Sequence, residues 1–238
     1  MNSRGRTLVA EAVGTMLLLA AIVGSGIMGE RLSAGNVAIA LLANTLATGA
    51  MLVAIILAFG PVSGAHFNPV VTLALASQGA FRWKEVPGYV VAQILGAFAG
   101  VAAAHVMFGE VLFSASQHAR AGGAQLFSEW VATFGLLSVI WGCSRSRPHA
   151  APFAVGAYIT AGYWFTASTA FANPAVTMAR SLTNTFSGIR VADLPGFIAA
   201  QFVGALCATL LFRWLLGASP VKDPAASQPS REIANHGR

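Results

Sequence analysis

Charged residues are scarce in this sequence, and the shortage is its first informative feature. Asp, Glu, Lys and Arg make up 9% of the 238 residues, whereas 56% of the residues are hydrophobic and the mean hydropathy is +0.68. Because a soluble domain usually has about a quarter of its residues charged, this chain lacks the polar surface that a water-exposed protein needs. The composition therefore predicts an integral membrane protein.

Cysteine is also scarce. Cys143 and Cys207 have no metal-ligand neighbours in the sequence, and a count of two cysteines argues against a disulfide framework. The net charge of +6 and the pI of about 10.2 raise the question of a nucleic-acid partner, but the basic residues lie in short connecting segments and tails. That distribution is typical of membrane topology. No metal site and no nucleic-acid partner is expected.

Long apolar runs predict the membrane-spanning helices, each of which needs about 20 residues. The first run follows MNSRGRT and is too long for a cleaved signal peptide, so it resembles a signal-anchor. Two shorter pieces, near 66–78 and 172–182, each contain Asn-Pro and are candidates for re-entrant half-helices. The six predicted spans are 7–29, 36–59, 86–108, 126–143, 150–168 and 194–217.

Six spans place both termini on the same side of the membrane. With cytoplasmic termini, ten basic residues fall in inner segments and four in outer segments, which agrees with the positive-inside rule. This predicts a multi-pass protein of the cell (inner) membrane. The polar segment 218–238 is predicted to be a disordered cytoplasmic tail.

The chain contains an internal repeat. LVAEAVGTMLL from residue 8 matches LFSEWVATFGLL from residue 126, with Glu11 and Glu129 118 residues apart. VPGYVVAQILGA from residue 86 matches LPGFIAAQFVGA from residue 194, with Gln93 and Gln201 108 residues apart. The two repeats, about 7–108 and about 126–217, form a single predicted domain of residues 1–217. Each has three spans, so they are expected to be inverted in the bilayer around a permeation site near the midplane.

The Asn-Pro pairs, Asn68-Pro69 and Asn173-Pro174, are 105 residues apart. Asparagine is a strong N-cap and proline suits the first helical position. Each pair therefore predicts the start of a half-helix that brings a positive dipole end and an amide donor to the membrane centre. A solute would accept hydrogen bonds there, whereas a cation would meet positive potential.

Glu11 and Glu129 are the only acidic residues within the predicted spans. Intramembrane carboxyl groups are candidates for ion coupling. Their repetition in both halves favours a scaffold role instead, in which each accepts hydrogen bonds from the backbone of a re-entrant loop.

The motifs SGAHFNPVVT at 63–72 and NPAVT at 173–177, together with AExxGT in the first span, resemble the aquaporin and aquaglyceroporin (major intrinsic protein) family over about residues 7–217. The resemblance implies an all-α membrane protein with six spans, two half-helices, a pore in each protomer and a homotetramer. It also implies passive conduction of water or small uncharged solutes, without a cofactor and without enzymatic activity.

The resemblance assigns the pore motifs and their supports. The first motif has Val70 in place of the usual alanine, and tolerated bulk beneath the half-helix is favoured over a narrowed pore. For His66 a structural hydrogen bond is favoured over a pH gate. The motif residues are Asn68, Pro69, Val70, Asn173, Pro174 and Ala175, and the supporting residues are Gly64, Ala65, His66, Phe171, Ala172, Glu11 and Glu129.

In this family a ring of four positions sets the outer selectivity, and one of them, three residues after the second asparagine, is nearly always arginine. Here that position is Val176. The second-span position is Thr48, the loop position is Ala170, and the fifth-span position falls near Ala161. A coordinated change is favoured over drift because all four residues are small. They imply a wide, mostly apolar and uncharged selectivity ring.

Arg180 follows Val176 by four residues, on the same face of the predicted half-helix and about 5.4 Å further along it. Its guanidinium can reach back toward the vacated position, because helical side chains lean toward the N-terminus. Extension to the outer surface, or a place in the outer vestibule, is the favoured prediction.

The leading hypothesis is a passive channel for small uncharged solutes, including arsenite, organoarsenicals, glycerol-like polyols and water. NPAVTMARSLTNTFSGI resembles a bacterial branch associated with arsenic resistance, and arsenite at neutral pH is uncharged As(OH)3. One alternative is an ordinary water-selective channel. Another is an inverted-repeat secondary transporter, and a third is an intramembrane hydrolase, for which no paired Ser/His or metal-ligand set appears.

Overall fold

The structure, a computed structural model, describes residues 3–217, and within them all regular secondary structure is helical. The predicted tail, 218–238, lies outside the described residues. The eight α-helices are α1 Ser3–Leu32, α2 Val37–Ser63, α3 Pro69–Ser77, α4 Val86–Phe108, α5 Gly123–Ser146, α6 Ala151–Phe165, α7 Pro174–Arg180 and α8 Leu194–Leu215.

Five of these helices, α1, α2, α4, α5 and α8, are long and apolar enough to cross a membrane, judged by length and composition. The sixth predicted span, 150–168, corresponds to α6, which has only 15 residues. A turn of 3-10 helix, Pro148–Ala150, precedes α6. The helix ends at Phe165 because Thr166 adopts an extended conformation, with φ −113° and ψ 136°, and leads into the loop before α7.

The half-helices α3 and α7 begin at the two Asn-Pro pairs. Asn68 Oδ1 accepts a hydrogen bond from the backbone N–H of Val70, and Asn173 Oδ1 accepts from those of Ala175 and Val176. Proline occupies the first turn of each helix, where its missing N–H leaves no intrahelical bond unmade. Local sequence therefore determines where both half-helices start.

Close helix crossings hold each half together. Helix α1 packs on α2 and α4, and α5 packs on α6 and α8. A Cβ at Gly96 of α4 would lie 2.2 Å from the carbonyl oxygen of Ala12, and one at Gly204 of α8 would lie 2.5 Å from that of Trp130. Only glycine allows such close approach of two backbones. Because the crossings occur at repeat-related positions, the two halves have the same packing scheme.

Candidate pore and selectivity region

Two buried glutamates hold the loops that precede the half-helices. Glu11 accepts hydrogen bonds from the backbone N–H groups of His66 (3.0 Å) and Phe67 (2.7 Å). Glu129 accepts hydrogen bonds from those of Phe171 and Ala172, both at 2.9 Å. The carboxyl oxygens of both glutamates therefore accept hydrogen bonds from loop amides, as the predicted scaffold role requires.

A glutamine completes each of these networks. Gln93 Nε2 donates to Glu11 (2.8 Å) and to the Thr72 hydroxyl (2.9 Å). Gln201 Nε2 donates to Glu129 (2.6 Å) and to the Thr177 hydroxyl (2.8 Å). Each glutamine thereby links a glutamate of a long helix, α1 or α5, to a threonine of the half-helix in the same repeat, α3 or α7. The same arrangement occurs in both repeats.

The loops have an unusual backbone that repeats between the halves. Gly64, Ala65 and Phe67 have positive φ values of 83°, 52° and 49°, and Thr169, Ala170 and Ala172 have values of 62°, 48° and 47°. Non-glycine residues rarely adopt this left-handed region. The strain persists because the glutamate hydrogen bonds over-determine the loop conformation.

The two asparagines meet where the half-helices converge. Asn68 Nδ2 donates to the carbonyl oxygen of Ala172, and Asn173 Nδ2 donates to that of Phe67, both at 2.8 Å. Each amide nitrogen has two hydrogens, so one remains for a molecule in the cavity that both side chains line. The pairing orients these donors without using them up.

A cavity of about 600 Å³ passes the two asparagines and extends to the predicted selectivity positions. Thr48, Ala170 and Val176 line it, as do the supporting residues Gly64, Ala65, His66, Phe171 and Ala172. Pro69, Val70, Pro174 and Ala175 are buried beside the cavity and are not among its lining residues. In the first half-helix Val71, rather than Val70, faces the cavity, so the substituted motif residue does not narrow it.

The prediction for the fifth-span position is wrong at Ala161. Ala161 is exposed on the face of α6 that points away from the cavity, whereas Ile159 and Tyr163 are buried and line it. The Tyr163 hydroxyl lies 3.3 Å from the Thr48 hydroxyl, within hydrogen-bonding distance. The predicted selectivity ring is consequently bulkier and more polar on this wall than the sequence indicated.

His66 has a local structural partner. Its Nδ1 lies 3.1 Å from the Thr72 hydroxyl, and its ring packs against those of Phe81 and Tyr89 at centroid distances of 4.9 and 5.1 Å. These contacts hold the imidazole against the wall of the cavity.

Of the two forms of the favoured prediction for Arg180, extension to the outer surface does not occur, and a place in the outer vestibule stays a prediction. Its side chain is only 2% exposed and lines the cavity, with Cζ 3.4 Å from the centroid of the Phe171 ring. Nε donates to the carbonyl oxygen of Ser187. These two contacts come from the loops on either side of α7, and they hold the guanidinium inside the protein.

Sequence reasoning missed Arg120. This residue lies between α4 and α5, where it is buried with Cζ 5.0 Å from the Phe171 centroid. Nε donates to the carbonyl oxygen of Gly188 (2.8 Å) and Nη1 to that of Ser168 (3.2 Å). Burial lowers the pKa of Arg120 to about 10, which leaves it protonated at neutral pH. No sequence motif marks this residue, because its partners lie 48 to 68 residues away.

Comparisons with known proteins agree with this architecture. The sequence model of the family described as Major intrinsic protein matches residues 2–167 and 145–236. Aquaglyceroporin AqpS of Rhizobium meliloti (strain 1021) is 54% identical over 229 residues, which cover 96% of this chain and 97% of that protein. Aquaporin NIP1-2 of Oryza sativa subsp. japonica is 30% identical, over 96% of this chain and 75% of that protein.

The fold also matches a solved structure. The aquaglyceroporin from Plasmodium falciparum superimposes with a TM-score of 0.71 over 90% of this chain and 97% of that chain, at 21% sequence identity. At that identity the match supports the arrangement of the helices alone. It agrees with the predicted all-α membrane architecture with two half-helices.

Proposed function

The chain belongs to the major intrinsic protein family, whose members are membrane channels and not enzymes, and from this premise we propose that it conducts small uncharged solutes passively. The observation that carries the proposal is the cavity that runs past both asparagines to Thr48, Ala170 and Val176. Val176 gives this ring no charge at the position that the resemblance associates with arginine. The ring therefore favours neutral molecules larger than water.

The proposed solutes are polyols such as glycerol, metalloid hydroxides such as arsenite, organoarsenicals, and water. An apolar wall favours the less strongly hydrated face of a solute, and the free amide hydrogens of Asn68 and Asn173 bind its hydroxyl oxygens. As(OH)3 has the same combination of zero charge and several hydroxyl groups as glycerol. The name of the Rhizobium meliloti relative, an aquaglyceroporin, supports this solute class.

The proposed setting is the cell (inner) membrane, with both termini cytoplasmic and a homotetramer of channel-bearing protomers. The bacterial relative supports the inner membrane, and the excess of basic residues in the predicted inner segments supports the orientation. Residues 1–217 are proposed to be one channel domain made of two inverted repeats. The Glu–Gln–Thr networks repeated in both halves support that division.

Stopped-flow light scattering of proteoliposomes tests the proposed activity. Reconstituted protein should accelerate the swelling of vesicles in glycerol and arsenite gradients and should also carry water. Flux should stop when the gradient is dissipated. Accumulation against a solute gradient driven by protons or sodium would contradict a channel, and flux of water alone would support the water-selective alternative.

Val176→Arg tests the ring. Arginine adds bulk and charge opposite Thr48 and Tyr163, so glycerol and arsenite permeabilities should fall by about tenfold or more, a barrier change of about 1.4 kcal/mol, while water permeability persists. Val176→Leu is the matched control because it adds bulk without charge, and it should reduce glycerol flux less. Unchanged glycerol and arsenite fluxes in Val176→Arg would contradict the wide-ring proposal.

A further inference from the structure

Arg180 has hydrogen-bond donors that the protein does not use. Within residues 3–217, the only hydrogen bond of its guanidinium is from Nε to Ser187, and neither Nη1 nor Nη2 has a partner. The side chain is 2% exposed yet lines the cavity. A buried guanidinium without partners is costly, so these donors require oxygen atoms supplied from inside the cavity, by water or by solute.

The charge of Arg180 is also uncompensated by direct ion pairing. None of the four ion pairs of the described chain includes Arg180 or Arg120. Both guanidiniums lie against the Phe171 ring, with Cζ 3.4 and 5.0 Å from its centroid. Phe171 stabilises them through its π face, but it neutralises neither. This end of the cavity consequently has a positive potential.

The position of Arg180 distinguishes it from the ring. Val176 and Arg180 are four residues apart in α7 and both line the cavity. One helical turn, about 5.4 Å, separates them along the axis. The uncharged ring and the guanidinium therefore lie at two successive levels of the same passage. A solute meets the charge of Arg180, while the ring at position 176 is not narrowed by an arginine side chain.

We propose that Arg180 is a specificity-determining residue of the pore: its free Nη donors bind a hydroxyl oxygen of the entering solute, and its charge excludes cations. This deepens the proposed function and rests on it. Separating the charge from the ring explains how a constriction with no charge at position 176 can still reject cations. Arg120 is a positioning residue that also contacts the Phe171 ring and adds to the potential, while its Nε and Nη1 donate to the carbonyl oxygens of Gly188 and Ser168.

The test compares three variants in proteoliposomes: Arg180→Leu, Arg180→Lys and the control Arg190→Leu. Arg190 is exposed and pairs with Asp193 at 2.8 Å, so its loss removes one arginine from the same region without altering the cavity. Glycerol flux is measured by stopped flow, and cation leak by a trapped pH dye and by potassium release under an imposed potential.

Arg180→Leu should raise proton or potassium leak by at least about tenfold, because the lost repulsion between two charges a few ångströms apart is worth more than that factor. Its ratio of glycerol to water permeability should also change. Arg180→Lys should keep cations out, but the glycerol concentration that half-saturates flux should rise, because an ammonium lacks the planar fork of donors. Arg190→Leu should match the unaltered protein in all assays.

Wild-type leak and an unchanged permeability ratio in Arg180→Leu would overturn the proposal. If that variant does not assemble, an Arg180→Lys protein with unchanged saturation by glycerol would overturn the donor role, and one with raised leak would overturn the charge role. The proposed function fails separately, if the unaltered protein does not carry glycerol or arsenite at all.

Discussion

The two half-helices share their construction and differ in charge at one position that lines the cavity. Both begin at Asn-Pro, and both loops are held by a glutamate and a glutamine at repeat-related positions. With the offset of 105 residues, Val71 of α3 corresponds to Val176 of α7, and Leu75 corresponds to Arg180. All four line the cavity. The repeat is therefore symmetrical in its scaffold and asymmetrical in its charge.

The asymmetry extends to the residues that support this position. His66 and Phe171 are repeat partners, and each packs against an aromatic ring of the following long helix, Tyr89 at 5.1 Å and Phe197 at 5.3 Å. Of these two repeat partners, only Phe171 has guanidiniums over its ring, those of Arg120 and Arg180. A common fold can thus acquire a different charge at one end through substitutions that leave the shared hydrogen bonds intact.

The largest expected effect comes from the shared scaffold. Glu11→Gln and Glu129→Gln each place an amide donor against loop N–H donors, and a lost hydrogen bond to a charged group together with an unpaired donor costs about 3 kcal/mol or more. Each variant should lower the midpoint of thermal unfolding in detergent by roughly 6 °C or more, measured by intrinsic fluorescence. A clear decrease of the unfolding midpoint in only one variant would contradict the structural equivalence of the two halves.

A smaller effect is expected from the supports of the asymmetrical position. Phe171→Leu removes the ring on which both guanidiniums stack, a contact worth about 2 kcal/mol when desolvated. Arg180 should then become less ordered, and proton leak through proteoliposomes should rise several-fold while water flux continues. Phe59→Leu is the control, because Phe59 packs on Phe67 at 6.2 Å in the half whose half-helix has Leu75 at the position of Arg180. Equal leak in both variants would contradict the role of Phe171.

The smallest expected effect is the response of His118 to pH. Burial, followed by Arg120 and Arg180, lowers the pKa of His118 below its ordinary value. The unfolded chain therefore binds this proton more readily, and stability should decline slightly as the pH falls below the ordinary histidine pKa of about 6.5. His118→Gln should reduce that decline in thermal melts between neutral and mildly acidic pH. An identical decline in the variant would assign the pH dependence to other groups.

Much of the scaffold was predictable because its signals are local or repeated. Asn-Pro marked the starts of α3 and α7, and the span 86–108 coincides with α4. The face of α6 was not predictable. Apolar residues lie all around that helix, so no periodicity distinguishes Ala161 on the exposed face from Ile159 and Tyr163 on the cavity face. Only packing between α2 and α5 determines its rotation.

By itself, the sequence determined that this chain belongs in a membrane, that it consists of two related halves and that each half contains a half-helix, because composition, repetition and N-capping are properties of the chain. Tertiary structure decided that Tyr163 replaces Ala161 at the cavity and that Arg180 lies inside. The favoured prediction for Arg180 was extension to the outer surface or a place in the outer vestibule, and a guanidinium is costly to bury without partners. The Phe171 ring and the Ser187 carbonyl, which belong to separate loops, reduce that cost only after the chain has folded.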